Sequence, residues 1–177
     1  MDFQFATATQ ILFGDNKAQE LPALAGKLGQ RPFVITGANP ARHAELLDPL
    51  AATIYPLSKE PTVPMLQEAT AQAREAGADC LIGLGGGSCV DLAKAVAALL
   101  ANDGDLFDYL EVIGKGQPLE NPALPVIALP TTSGTGAEVT RNAVIGSPEH
   151  RVKVSMRHPT MLPAIALVDP VLTYGVP

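Results

Sequence analysis

The residues of this chain best suited to chemistry fall in two short clusters. The first is Gly85-Gly86-Gly87-Ser88, directly after the apolar run Leu81-Ile82-Gly83-Leu84. Consecutive glycines let a backbone turn sharply and approach a ligand with no Cβ in the way. A helix starting there would present amides that lack internal partners, at the positive end of its dipole. A phosphate is the natural occupant of such a site. Ser88 could cap that helix or give its hydroxyl to the phosphate. A plain tight turn capped by Ser88 is the competing reading, and a glycine triplet between a strand and a helix favours phosphate over it. The second cluster follows the apolar run Val126–Leu129 and reads Pro130-Thr131-Thr132-Ser133-Gly134-Thr135-Gly136-Ala137-Glu138-Val139-Thr140. Hydroxyls both donate and accept, which suits ribose and phosphate. The competing reading is a Ser/Thr-rich capping turn with Glu138 in a first helical turn. Two such clusters after two strands converge on a nucleotide site.

Other motifs are near misses. Gly83-x-Gly85-x-x-Ser88 ends on serine where the dinucleotide fingerprint has glycine, and it follows a late strand rather than a first one. No Gly-Lys-Ser/Thr follows a glycine spacer, so the phosphate loop of nucleoside triphosphatases is excluded. His43, His150 and His158 show no close ligand spacing. Cys80 and Cys89 are too few for a disulfide scaffold. Cys80 reads as a small core residue. Cys89 at a helix start could be reactive, but a packing or surface role is favoured over that.

The elements that must hold these clusters alternate. Strands are expected at Phe3–Phe5, Gln10–Phe13, Phe33–Thr36, Thr53–Leu57, Asp79–Leu84 and Val126–Leu129. Helices are expected at Lys17–Leu28, Ala41–Leu50, Val63–Ala76 and Ser88–Leu100. Strand and helix in alternation mean βαβ units and a mainly parallel sheet. Beyond the proline-punctuated stretch Pro118–Pro125, the runs Asn142–Gly146, Val152–Met156 and Ala164–Val168 read as strands without long helices between them. The expected fold is therefore α/β, a Rossmann-like, mainly parallel sheet with helices on both faces and an appended β-region formed by those three strands. Residues 1–177 make one dinucleotide-binding domain.

Gly85-Gly86-Gly87-Ser88-x-x-Asp91-x-x-Lys94-Ala95, followed by the Pro130–Thr140 cluster and the closing Ala166-Leu167-Val168-Asp169-Pro170, resembles the N-terminal domain of the metal-dependent (iron-containing) alcohol dehydrogenases. The resemblance covers essentially the whole chain, with Asp48–Ser58 shorter than usual. It implies NAD or NADP as cofactor. It further implies that Gly86, Gly87 and Ser88 bind the pyrophosphate and that Thr131, Thr132 and Thr135 line the cofactor. Val144 would lie on the nicotinamide side, and Lys153 would reach a ribose hydroxyl. Taken alone, Lys153 would read as a solvated lysine beside Arg151. Asp91 and Lys94, spaced for one helix face, read as support for the glycine turn. Gly37 stands where many relatives carry the acid that binds the adenosine ribose, so no carboxylate bars a 2′-phosphate. Arg42 either faces that phosphate or is an ordinary exposed residue. The resemblance places a divalent metal, iron or zinc, on one Asp and three His of a following helical domain absent here. The chain alone is then expected to bind cofactor without turnover. A maleylacetate reductase-type domain and a non-enzymatic, self-associating nucleotide-binding module are the alternatives.

The bulk properties agree with a globular domain. The chain has 177 residues, 47% hydrophobic and 17% charged, enough for a real core. A net charge of −6 without a Lys/Arg run argues against nucleic acid and anionic membrane as partners. Met-Asp-Phe-Gln-Phe is no signal peptide, and Ala93–Ala101 is too short to cross a bilayer. A cytoplasmic location is expected. So is a homo-oligomer, a dimer first of all, because the family's cofactor cleft lies between two domains. The threonine-glycine turn, the apolar tail Ala164–Pro177 (Leu167, Val168, Val171, Leu172, Val176) and the edge near Phe3 and Phe5 would be the contact surfaces.

Overall fold

The structure is a computed structural model and describes residues 1–175. Val176 and Pro177, read above as part of the apolar tail, lie outside the described residues. In chain order the strands are β1 Gln10–Phe13, β2 Pro32–Gly37, β3 Thr53–Leu57, β4 Cys80–Gly85, β5 Val126–Pro130, β6 Asn142–Ser147, β7 Val152–Arg157 and β8 Ile165–Val168. The α-helices are α1 Leu21–Leu28, α2 Ala44–Leu47, α3 Val63–Glu75, α4 Gly87–Ala101 and α5 Leu106–Tyr109.

Six strands form one sheet in the order β1-β8-β5-β4-β2-β3, every neighbouring pair parallel. The central strands β4 and β5 are buried at every position, as continuous apolar runs covered on both faces must be. On one face Val34, Ile82, Leu84, Ile127, Leu129, Ile165 and Leu167 pack under α1 and α2. On the other, Phe33, Ile35, Leu81 and Val126 pack under α3 and α4. Helix α4 is buried almost all round, from Cys89 to Leu99. Its outer side is covered by the antiparallel pair β6–β7, whose Ala143, Ile145, Val154 and Met156 join the same core. Gly83 brings α4 down onto the sheet, because a Cβ there would stand 2.8 Å from Val90 Cα. No helix among the described residues is long and apolar enough to cross a membrane.

Three expectations change. Residues 3–5 form no strand, and Phe3 and Phe5 are 86% and 80% exposed. One period of alternation is too short to recruit a partner, and β1 leaves its outer edge free. The expected helix Ala41–Leu50 breaks into the 3₁₀ turns Pro40–His43 and Asp48–Leu50 around a single α-turn. Pro49 has no amide with which to continue the ladder. The appended β-region keeps only β6 and β7. β8 enters the main sheet between β1 and β5, and its buried run Ile165–Leu167 shows none of the alternation seen in β6 and β7.

Candidate functional site

The parallel strands all point their carboxyl ends at one edge. From β2 the chain moves outward to β3 and then returns to place β4 on the other side of β2. The crevice between the ends of β2 and β4 is the switch point at which open α/β sheets bind ligands. Gly37 ends β2 and Gly85 ends β4. They nearly touch, since a Cβ on Gly85 would lie 3.4 Å from Gly37 N and 2.5 Å from Cys89 Sγ. Gly85 also has φ +155, which L side chains rarely adopt.

Gly86 stands at the helix N-cap in extended conformation, with no side-chain cap, and Gly87 is the first helical residue. The capping role considered for Ser88 is thereby corrected. Its hydroxyl makes no cap bond, and the residue sits half-buried in the first turn. The amides of Gly87 and Ser88 open the helix without partners inside it. Cys89 is buried, and burial pushes its thiol up to about 11, so it is a packing residue and not a nucleophile.

The threonine turn packs directly on this glycine turn. Thr131 N donates to Gly85 O at 2.9 Å, which extends the β4–β5 ladder into the site. A Cβ at Gly86 would lie 3.7 Å from Thr132 Oγ1, and one at Gly87 would lie 3.1 Å from Thr135 Cβ. Gly86, Gly87, Thr131, Thr132 and Thr135 thus form one surface. Ser88, Val144 and Lys153 meet beside it, with Asp91, Gly146, Glu60 and Pro61, around a small cleft of about 80 Å³. Lys153 Nζ pairs with Glu60 Oε1 at 2.8 Å, both side chains being mostly exposed. Such a pair contributes little and yields easily to a ligand.

Lys94 was placed with Asp91 on spacing alone, and its reach is the feature that sequence reasoning missed. Its side chain is fully buried, with Nζ 3.0 Å from Asp91 Oδ1. It donates to Ala137 O (2.9 Å), Thr140 O (3.3 Å) and Asn142 O (2.5 Å). Asp91 Oδ2 in turn accepts from Val144 N at 3.0 Å. Burial lowers the Lys94 pKa, opposed by the charges of Asp91 and Glu138. The i,i+3 spacing was a signal for the ion pair, whereas the carbonyls lie more than forty residues away in sequence.

A hollow of about 680 Å³ lies elsewhere, among Asn16, Arg42, His43, Asp169 and Leu172. None of the residues assigned to the cofactor lines it. Arg42 lies there, its guanidinium 3.3 Å from the position of a Cβ on Gly175. Around Gly37, by contrast, a Cβ would meet nothing within 4 Å. A carboxylate therefore fits at this position. We expect Gly37→Asp to raise the ratio of NADPH to NADH dissociation constants by about tenfold or more, through repulsion of a 2′-phosphate. Competition titrations check this, and an unaltered ratio would mean that Gly37 does not face the adenosine ribose. Among the described residues no group of three or more His, Cys, Asp and Glu side chains is gathered as a metal would need.

A mainly parallel α/β sheet with helices on both faces and a glycine turn and a hydroxyl turn at its switch point is a Rossmann-like fold. The family model for iron-containing alcohol dehydrogenase matches residues 8–170, and the chain belongs to that family. It is 45% identical over 117 residues to the 4-hydroxybutyrate dehydrogenase of Cupriavidus necator, a match covering 66% of this chain and 30% of that protein. It is 28% identical to NADH-dependent butanol dehydrogenase B of Clostridium acetobutylicum, over 100% of this chain and 47% of that one. Among solved structures it is similar to sulfoacetaldehyde reductase from Bifidobacterium kashiwanohense in complex with NAD+, with a TM-score of 0.90 and 31% identity, covering 100% of this chain and 48% of that one. The chain thus spans about half the length of the solved relatives it matches.

Proposed function

We propose that this chain is the cofactor-binding domain of an enzyme that moves hydride between a nicotinamide dinucleotide and an alcohol or carbonyl carbon. The observation that carries the reading is the glycine turn Gly85–Ser88 packed against the threonine turn at the sheet's switch point. The amides of Gly87 and Ser88, at the positive end of the long helix α4, would hold the pyrophosphate. Thr131, Thr132 and Thr135 supply hydroxyls for ribose and phosphate, Val144 an apolar wall for the nicotinamide, and Lys153 a donor for a ribose hydroxyl once released from Glu60. NAD+ in the similar sulfoacetaldehyde reductase supports the cofactor class, and the open Gly37 admits NADP as well. When bound, the cofactor supplies the hydride acceptor or donor, and this chain's residues hold and orient it.

The family's metal, iron or zinc, would act as a Lewis acid on the substrate oxygen, from residues in the half of the relatives that this chain does not span. We therefore expect saturable NADH or NADPH binding and no alcohol oxidation by this chain with added iron or zinc. Fluorescence titration and a turnover assay on one preparation test both. Metal-dependent turnover would overturn the division of labour, and absence of any binding would overturn the site. Ile11 and Phe13 of the edge strand β1, and Phe3 and Phe5 ahead of it in sequence, are exposed. An apolar edge strand favours pairing with a second copy. We accordingly expect dimerisation in light scattering across a dilution series, whereas a strict monomer at high concentration would rule out this edge as an interface.

A further inference from the structure

The threonine turn is poorly equipped to hold its own shape. Ser133, Gly134 and Thr135 are exposed, and Gly134 and Gly136 both have positive φ. The side-chain bonds within the turn are long, 3.4 Å from Ala137 N to Thr135 Oγ1 and 3.5 Å from Thr140 Oγ1 to Ala137 O. Glu138 Oε2 has no hydrogen-bond partner although the atom is buried. What fixes the turn is the ammonium of Lys94, whose three N–H groups are shared among three carbonyls of the turn and β6 and one Asp91 oxygen. Hydrogen bonds from a buried cation are the strong ones. The same Asp91 ties Val144 N to helix α4. Lys94 and Asp91 therefore lock three pieces together: the helix whose first amides face the phosphate, the hydroxyl turn, and the strand carrying Val144.

We propose that Lys94, with Asp91, is a positioning residue of the cofactor site, setting the hydroxyl turn and Val144 at the distance from the glycine turn that a whole dinucleotide requires. The inference rests on the dinucleotide reading of the site. Lys94 itself, enclosed by these acceptors, touches no ligand. ADP would engage mainly the glycine turn and the Gly37 side. NADH would in addition need the surfaces that Lys94 and Asp91 fix. Loss of the lock should therefore weaken NADH far more than ADP, whereas a merely structural lysine would lower thermal stability and leave the ratio alone.

The test measures NADH and ADP dissociation constants, with melting temperature, for the parent chain, Lys94→Met, Asp91→Asn and Leu66→Ala. Leu66 is fully buried on α3, is not among the residues assigned to the cofactor, and controls for lost stability. Asp91→Asn keeps the shape but turns its NH₂ toward either the Lys94 ammonium or Val144 N, so one of the two contacts must break. We expect Lys94→Met to weaken NADH by roughly 10- to 100-fold, the size of lost charge-assisted hydrogen bonds. ADP should change by less than about threefold, and the ratio should stay unchanged in Leu66→Ala. Equal weakening of both ligands, or no change of either in the folded variant, would overturn the inference. If Lys94→Met does not fold, Asp91→Asn decides by the same ratio. A parent chain that binds neither ligand would instead sink the dinucleotide reading itself.

Discussion

Gly87→Val should abolish saturable NADH binding while the domain remains folded. Two effects add. The first helical amides face the proposed phosphate position, where a branched side chain occupies the ligand's space. A Cβ at Gly87 also stands 3.1 Å from Thr135 Cβ and 3.3 Å from Thr135 Cγ2, so the hydroxyl turn is pushed off the glycine turn. Thr135 is exposed and Gly87 half-buried, so the disturbance stays at the surface edge of the fold. We expect at least about a 100-fold loss of affinity, with the parent's circular dichroism spectrum. Ser88→Pro should act alike, because proline is tolerated in a first helical turn yet deletes both an amide and a hydroxyl. Calorimetry showing parent-like affinity in a folded Gly87→Val would move the phosphate away from this turn.

The local signals in the sequence were strong where a single stretch of chain decides the outcome. The runs that became β2, β4 and β5 are apolar at nearly every position, and only burial on both sides of a sheet accommodates that. The glycine triplet and the threonine turn stand out for the same reason, because each concentrates its glycines or hydroxyls in one short stretch directly after an apolar strand. What stayed hidden depends on distant partners. Strand β1 pairs with β8 across some 155 positions of sequence, Gln10 facing Ile165, and no local pattern states that pairing. The unbroken apolar run of β8 could nevertheless have told it apart from the alternating β6 and β7. Pro49 is itself a legible stop near the end of the stretch Ala41–Leu50. Lys94 shows both sides of the limit. Its pairing with Asp91 follows from helical spacing, while its three carbonyl partners follow only from the way β5 and β6 fold back over α4.

Asp169 supplies the test of how the two ends of the described chain are joined. The residue is 2% exposed, and its carboxylate serves three backbone amides. Oδ1 accepts from Asn16 N at 3.1 Å and from Val171 N at 3.0 Å, and Oδ2 accepts from Ala18 N at 3.0 Å. The first and third of these clamp the turn after β1 to the end of β8, and the second caps the 3₁₀ turn Pro170–Thr173. Asn16 sits in the left-handed region at φ 60, a conformation that such a clamp helps to hold. Asp169→Ala leaves these amides without an acceptor, at a cost of roughly 1–3 kcal/mol for each that water does not reach. We expect a total loss of about 3–5 kcal/mol, a large part of the roughly 5–15 kcal/mol that holds a typical domain together. Asp169→Asn retains one acceptor oxygen and should lose about half as much. Urea denaturation with both m-values compared is the measurement. Because Asp169 lies at the β1–β8 side, away from the glycine turn between β2 and β4, the folded Asn variant should keep the parent's NADH affinity within about twofold. An Asp169→Ala chain within about 1 kcal/mol of the parent would mean that water replaces the carboxylate and that the sheet pairing alone joins β1 to β8.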